Sequence, residues 1–386
     1  MNIHNHKFII LASYSANALG QIRSLGEKGL KPIAVLAHQS TYRVDKSRYL
    51  SELFNVNSFE EGLNLICNKF GNEKWRPFLF TDCDEVMGLL DKRYQELKDK
   101  FYFWNAGNPN RLSQFMLKSV QLSIAKECGM NIPNTEIVNV GELPKSLSYP
   151  IFTKATDSFS NIWWKANSYI CNNEEELKEA YSKMDISSIV LQEYVIKQDE
   201  IPIEGISIHE GEDIVLFGQT RNYRMSEKSY GTFRYIENFK DKKLEKQIKE
   251  FIQKVKYTGA FEIEFIIDKN GVPYFLEVNF RISQPNYAFT VWGANIPYIY
   301  AESILKNKIA YNNNNSDQKT LNLMYEFEDF KYSILQNKIN IFKWFKDAWF
   351  CDVFLYYNRH DKMPFYYTIF SKIILAIKKI IRASVS

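Results

Sequence analysis

The chain has 386 residues, 45% hydrophobic and 24% charged, ordinary values for a soluble globular protein of two or three domains. Five scattered cysteines, without a CxxC pair, argue against a disulfide framework or a zinc centre and for a reducing, cytoplasmic setting. Net charge is +4, and the last 23 residues hold Lys372, Lys378, Lys379 and Arg382 without an acid, so the body is neutral and offers no nucleic-acid groove.

From the start, "FIILA", "NALGQIRSLGEKG" and "KPIAVLA" read as strand, helix, strand, with the helix ending at Gly29. No GxGxxG follows the first strand, which sets nicotinamide chemistry low. "HKFIILASYSANALG" reads as a strand and turn, not a leader, and no apolar run reaches membrane-spanning length. Ser58 with Glu61, and later Asn173 with Glu176, make helix-capping pairs. "RPFLFTDCDEVMGLL" is a buried strand running into a helix, with acids at the junction. A helix is expected from about 111 to 128, stopped by Gly129. "YPIFTKATDSFSNIWWKANSYIC" gives strand, polar loop, strand. "SIVLQEYVI" is a buried strand leaving for a polar segment, and "GEDIVLFGQTRNYRM" a further strand pair. In "DKKLEKQIKEFIQKVKYTG", Leu244, Ile248, Phe251, Ile252 and Val255 form one helical stripe. "NNNNS" at 312–316 is a low-complexity connector. The terminal segment places Ile369, Phe370, Ile373, Ile374, Ile377, Ile380 and Ile381 on one face of a basic amphipathic helix. Such a face fits an anionic membrane surface, the protein's own body or a second subunit.

The most informative stretch is "FEIEFIIDKNGVPYFLEVNFR". Alternation puts Phe261, Ile263, Phe265 and Ile267 on one face, with Tyr274, Leu276, Val278 and Phe280 on the return. If Asn270-Gly271 forms a two-residue type I′ turn, Glu264 lies opposite Glu277 and Glu262 opposite Asn279. Carboxylates so placed repel by about 3 kcal/mol at an effective dielectric near 20. A proton, a basic side chain or a cation must offset that, and an oxygen-only set suits a hard ion such as Mg²⁺.

In order along the chain, "KS" in a helix, "YPIFTK", "QEYV" and "EIEF…LEVNFR" resemble the ATP-grasp superfamily over roughly residues 110 to 305. "SRY" at 47–49 and the late "DKMPFYY" resemble its D-aspartate ligase-like and carbamoyl-phosphate-synthase-like carboxylate–amine ligases. The resemblance implies a mixed α/β and α+β fold. It comprises an open α/β domain (1–108), a small grasp lobe (109–190), a large lobe with the metal hairpin (191–310) and a C-terminal segment with the amphipathic helix (311–386). It implies that Lys118 and Lys154 reach ATP phosphates and that Gln192, Glu193, Tyr194 and Val195 form the adenine hinge. Glu200, with Asp199 as its rival, takes the ribose. Arg221 and Arg224 lie near the transferred phosphate, Arg281 clamps phosphate, and Glu264, Glu277 and Asn279 hold Mg²⁺ or Mn²⁺. The loop "ATDSFSN" lacks the glycines of many relatives, so the hydroxyls of Thr156, Ser158 and Ser160 stand in for them.

The implied reaction is amide formation through an acyl phosphate, from a small carboxylate and an amine, with an amino acid as one substrate. Formation of a carbamoyl or carboxy phosphate and a non-catalytic nucleotide-binding module are the alternatives. Expected partners are the small-molecule substrates, with no nucleic acid. Residues 364–386 offer a peripheral contact to the inner face of the membrane, and a homodimer is the other reading of the same surface.

Overall fold

Runs of aromatic and branched residues build the first sheet. β1 (Phe8–Ser13), β2 (Ile33–Ala37), β3 (Glu52–Asn55), β4 (Phe78–Phe80) and β5 (Tyr102–Phe103) pair in parallel in the order β3-β2-β1-β4-β5. Every residue of β2 and β4 is buried, as a parallel sheet covered on both faces requires. The order reverses between β1 and β4, and ligand crevices form at such a switch point beyond the carboxyl ends of the strands. Ser15, capping the helix Ala16–Gly26, and Asp84, opening the helix Asp84–Lys92, lie at that end. The computed structural model describes residues 2–154, 167–226, 231–311, 319–336 and 338–385. The loop "ATDSFSN", with Thr156, Ser158 and Ser160, and the connector 312–316 lie outside the described residues.

A small antiparallel sheet follows, in the order β6-β9-β7-β8: β6 (Thr135–Asn139), β7 (Ile151–Lys154), β8 (Ile170–Cys171) and β9 (Ser188–Glu193). It has its own core of Val138, Ile151, Cys171, Ile189 and Leu191, closed by Leu177, Ala180 and Tyr181 of the helix Glu174–Ser182. Asn173 caps that helix as expected, accepting from Glu176 N. The expected helix from 111 to 128 is two, Arg111–Phe115 and Lys118–Glu127, because Leu117 is extended between them. Leu122, Ile124 and Ala125 of the second pack into the main core, not the small one. The break makes Lys118 the first residue of a helix.

Seven strands, β10 (Asp199–Ile208), β11 (Asp213–Met225), β12 (Gly231–Glu237), β13 (Gly259–Ile267), β14 (Pro273–Asn279), β15 (Leu321–Met324) and β16 (Val353–Phe354), form the largest sheet. Their order is β14-β13-β10-β11-β12-β15-β16. Sequence reading left β10 as a polar segment, since Asp199, Glu200 and Glu204 interrupt its isoleucines and a bulge at Glu204/Gly205 breaks the alternation. Where a strand pair was expected in "GEDIVLFGQTRNYRM", β11 runs unbroken. The helix Lys242–Val255 lays the expected stripe, Leu244, Ile248, Phe251, Ile252 and Val255, against the sheet, all five buried.

The chain's end is woven into this body. β15 and β16 extend the large sheet, and Asp361 of "DKMPFYY" accepts from Ser47 Oγ and Arg48 N of "SRY", each at 2.9 Å. Arg23 pairs with the same carboxylate at 3.0 Å, both side chains fully buried. Two segments far apart in sequence therefore meet at one carboxylate.

Candidate active site

The acidic hairpin reaches its expected pairing by an unexpected route. The turn is not a two-residue type I′ connection. Asp268 Oδ1 accepts from Asn270 N and Val272 N, Gly271 N donates to Asp268 O, and Gly271 alone among the turn residues has a positive φ, 79°. That longer loop pairs Ile267 with Pro273 and Phe265 with Phe275, one residue out of the expected register. A bulge at Leu276 then restores it, and Glu264 pairs with Glu277 and Glu262 with Asn279. Phe275 consequently replaces Leu276 in the buried face. Gln121 fixes the strand beyond the bulge, donating to Val278 O at 2.9 Å and accepting from Val278 N at 3.0 Å.

Lys118 answers the hairpin's charge. Its Nζ lies 2.6 Å from Glu277 Oε2, with 15% and 28% of the two side chains exposed, so the pair stays open to a ligand. Lys118, helped by Lys154 and Arg281, holds the Glu277 carboxyl below its usual range despite burial. Burial works against the Lys118 ammonium, but Glu277, Glu264 and Asp84 outweigh it and raise its pKa. Lys154, at the end of β7, is pushed down to about 7 by burial and by Lys118. Among the described residues no ion pair is seen for Glu264. Burial, then Glu262, Glu277 and Glu200, push its carboxyl well above the usual range, and Asn279 Nδ2 donates to it at 2.8 Å.

Strand parity sorts the remaining residues. β10 pairs Pro202 with Glu264, Glu204 with Glu262 and Glu200 with Ile266, so Glu200 shares the acidic face and Asp199 points to the other. Glu200 accepts from Lys197 Nζ at 2.7 Å. Asp199 pairs with Arg221 at 2.6 Å on the helix-covered side, where Arg221 lines a cleft of about 460 Å³ with Gln219, Glu237 and Leu244. Arg224 is also turned away. Its guanidinium stacks over Phe233, pairs with Asp329 at 2.7 Å and contacts Asp347, both in the C-terminal segment. The structure therefore does not bring Arg221 or Arg224 to the acids, because their positions along β11, shifted by a bulge after Asn222, select the opposite face.

Arg281 does reach the site. Its Nε lies 2.8 Å from Asp84 Oδ1 and its Nη2 3.4 Å from Asn279 Oδ1, joining the first domain's switch point to the hairpin. The buried Asp82 next to it is raised by burial and accepts from Ser15. Sequence reading assigned Asp84 no role, although it noted acids at that junction. It also passed over Glu204, whose carboxyl is raised by burial and by Glu262 and accepts from Ser283. An acid within "IPIEGISI" is the same signal that exposed Glu264.

Gln192 to Val195 link the small sheet to β10. Gln192 Nε2 donates to Thr135 Oγ1 at 3.1 Å, while the amides of Glu193 and Tyr194 donate to Asn134 O and Pro150 O. Among the described residues no group of three or more His, Cys, Asp or Glu side chains is arranged for a metal. Glu264, Glu277 and Asn279 bring two carboxylates and an amide oxygen, a hard-donor set that fits Mg²⁺ completed by water and phosphate oxygens.

Residues 111–296 match the family model for the carbamoyl-phosphate synthase L chain ATP-binding domain. The D-aspartate ligase of Enterococcus faecium is 23% identical over 356 residues, 83% of each chain. The N5-carboxyaminoimidazole ribonucleotide synthase of Staphylococcus aureus is 24% identical over 143 residues, and the match spans only 37% of its length. The crystal structure of an L-amino acid ligase from Bacillus licheniformis superposes with a TM-score of 0.59 at 15% identity, over 82% of this chain and 79% of that one, a likeness of fold.

Proposed function

We propose that the chain is a member of the ATP-grasp superfamily and, from that premise, an ATP-dependent carboxylate–amine ligase that forms an amide through an acyl phosphate. The observation carrying this reading is the Lys118–Glu277 pair beside Glu264, whose carboxyl is raised by burial and neighbouring acids, with Lys154 close enough to feel both Lys118 and Glu277. Lys118 and Lys154 hold the phosphates, and Arg281, anchored by Asp84, orients the transferred group at the mouth of the switch-point crevice. Glu264, Glu277 and Asn279 would hold Mg²⁺, which supplies charge neutralisation on the phosphate oxygens. Glu200 takes the ribose in preference to Asp199, since it shares the acidic face. The adenine edge falls to Val195 and the hinge carbonyls, since the amides before them are already engaged.

Such a ligase transfers the γ-phosphoryl group to a substrate carboxylate. An amine then attacks the acyl carbon and expels phosphate. Both steps need positioning and charge, and none needs a side-chain nucleophile. The resemblance to a D-aspartate ligase along most of both chains supports an amino acid as one substrate. The match to the carboxyaminoimidazole ribonucleotide synthase favours bicarbonate activation as the second reading. ADP release with Mg²⁺ separates them: amino-acid-dependent release with amide formation supports the ligase, whereas release driven by bicarbonate alone supports the carboxy phosphate.

A further inference from the structure

The helix Ile341–Trp349 leaves large aromatic side chains in water. Its inward side, Ile341, Trp344, Asp347 and Ala348, is only half-buried. Trp344 Nε1 donates to Asp329 at 2.9 Å with its ring against Phe330, and Asp347 is held by Arg224. Its outward side carries Phe342, Phe345 and Trp349, 79%, 60% and 84% exposed, and Phe350 follows at 65%. Lys343 and Lys346 flank them, also exposed. No residue of this helix is buried.

The terminal helix Met363–Val385 leaves a second set of apolar side chains in water. Its first half docks: Thr368 is buried and accepts from Arg43 N at 2.9 Å, and Phe365 stacks on Phe327. Beyond Lys372, Ile374, Leu375 and Lys378 line a cleft of about 340 Å³ with Tyr14 and Asp45, yet Ile373, Ile374, Leu375 and Ile377 are all exposed, with Tyr366, Tyr367 and Phe370 before them. Both helices rest on the helix Glu326–Ser333, one through Phe330 and the other through Phe327, one turn apart. Among the described residues no helix is long and apolar enough to cross a membrane.

Among the described residues the exposed charges on these two helices are lysines. From residue 338 onward the acids are Asp347, Asp352 and Asp361. Asp347 contacts Arg224, a guanidinium it shares with Asp329, Asp361 pairs with Arg23, and the exposed Asp352 accepts from Asn322 N. Lys343, Lys346, Lys362 and Lys378 remain exposed around the aromatics. Aromatic anchors ringed by lysines, on helices lying flat rather than crossing, match an anionic lipid interface. We propose that the helices 341–349 and 363–385 together form a docking surface for an anionic phospholipid bilayer. Arg224 then serves this surface, since it ties the outward-facing helix to the end of β11 through Asp347.

Flotation with vesicles tests the proposal. The full-length protein is expected to float with phosphatidylglycerol-containing vesicles and to stay behind with pure phosphatidylcholine. The double variant F345E/W349E should lose at least tenfold in bound fraction, and K343E/K346E should lose the preference for anionic lipid. Both should keep the wild-type circular dichroism and ADP release, since none of these residues belongs to the nucleotide site. Equal binding by F345E/W349E and wild type would overturn the proposal. So would a wild-type dimer that this variant splits while the wild type ignores both vesicle types, which would make a second copy the occupant.

Discussion

The two faces of the large sheet are built from the same strands and treat charge in opposite ways. On the helix-covered face each arginine of β11 has its own acid, Arg221 with Asp199 and Arg224 with Asp329 and Asp347. On the other face Glu200, Glu204, Glu262, Glu264 and Glu277 stand on three neighbouring strands, and among the described residues only Glu200 and Glu277 have a short lysine contact. Paired charge marks architecture here, while charge left in excess marks a place where a cation and a polyanion are to be bound.

The sharpest way to break this comparison is Glu277→Gln. ADP formation is expected to fall at least about a hundredfold, the scale of losing one preorganised electrostatic partner, with the unfolding midpoint preserved. Full activity in that variant would remove the distinction between the faces. Arg224→Met should do the reverse. Breaking a pair with the fully buried Asp329 costs about 3 kcal/mol in chemical denaturation, while turnover per folded molecule stays near wild type. Glu200→Gln should weaken nucleotide binding about tenfold by calorimetry, the loss of a charge-assisted hydrogen bond, whereas Asp199→Asn should change it less than twofold. The smallest effect concerns pH. Lys154 is pushed down to about 7 in the free protein, and phosphate would restore its proton. Nucleotide affinity should therefore decline as pH rises from 7 to 9, with net proton uptake on binding, measurable by calorimetry in buffers of different ionisation enthalpy.

The alternation of apolar residues through Phe261–Ile267 was legible because Phe261, Ile263 and Phe265 are fully buried on one side of β13, and it located Glu264 against Glu277. The turn chemistry was not: "DKNG" closes through Asp268 rather than as a two-residue loop, and a bulge at Leu276 cancels the resulting slip. Two local errors of register thus left the opposed acids in place. Arg221 and Arg224 were misplaced for the same kind of reason, since proximity in sequence to the hinge says nothing of which face a side chain takes. Asp84 stayed hidden because its partner Arg281 lies 197 residues away, and a single sequence carries no sign of that pairing. The helix at 118–127 was visible as a helix, but the extended Leu117 that aims Lys118 at Glu277 was not.

Titration with Mn²⁺, followed by its paramagnetic signal in the presence and absence of ATP, tests the acidic face most directly. Tight Mn²⁺ binding that needs ATP, and that vanishes in Glu264→Gln and Glu277→Gln, is the predicted result. Undiminished Mn²⁺ and ATP binding by both variants would contradict it.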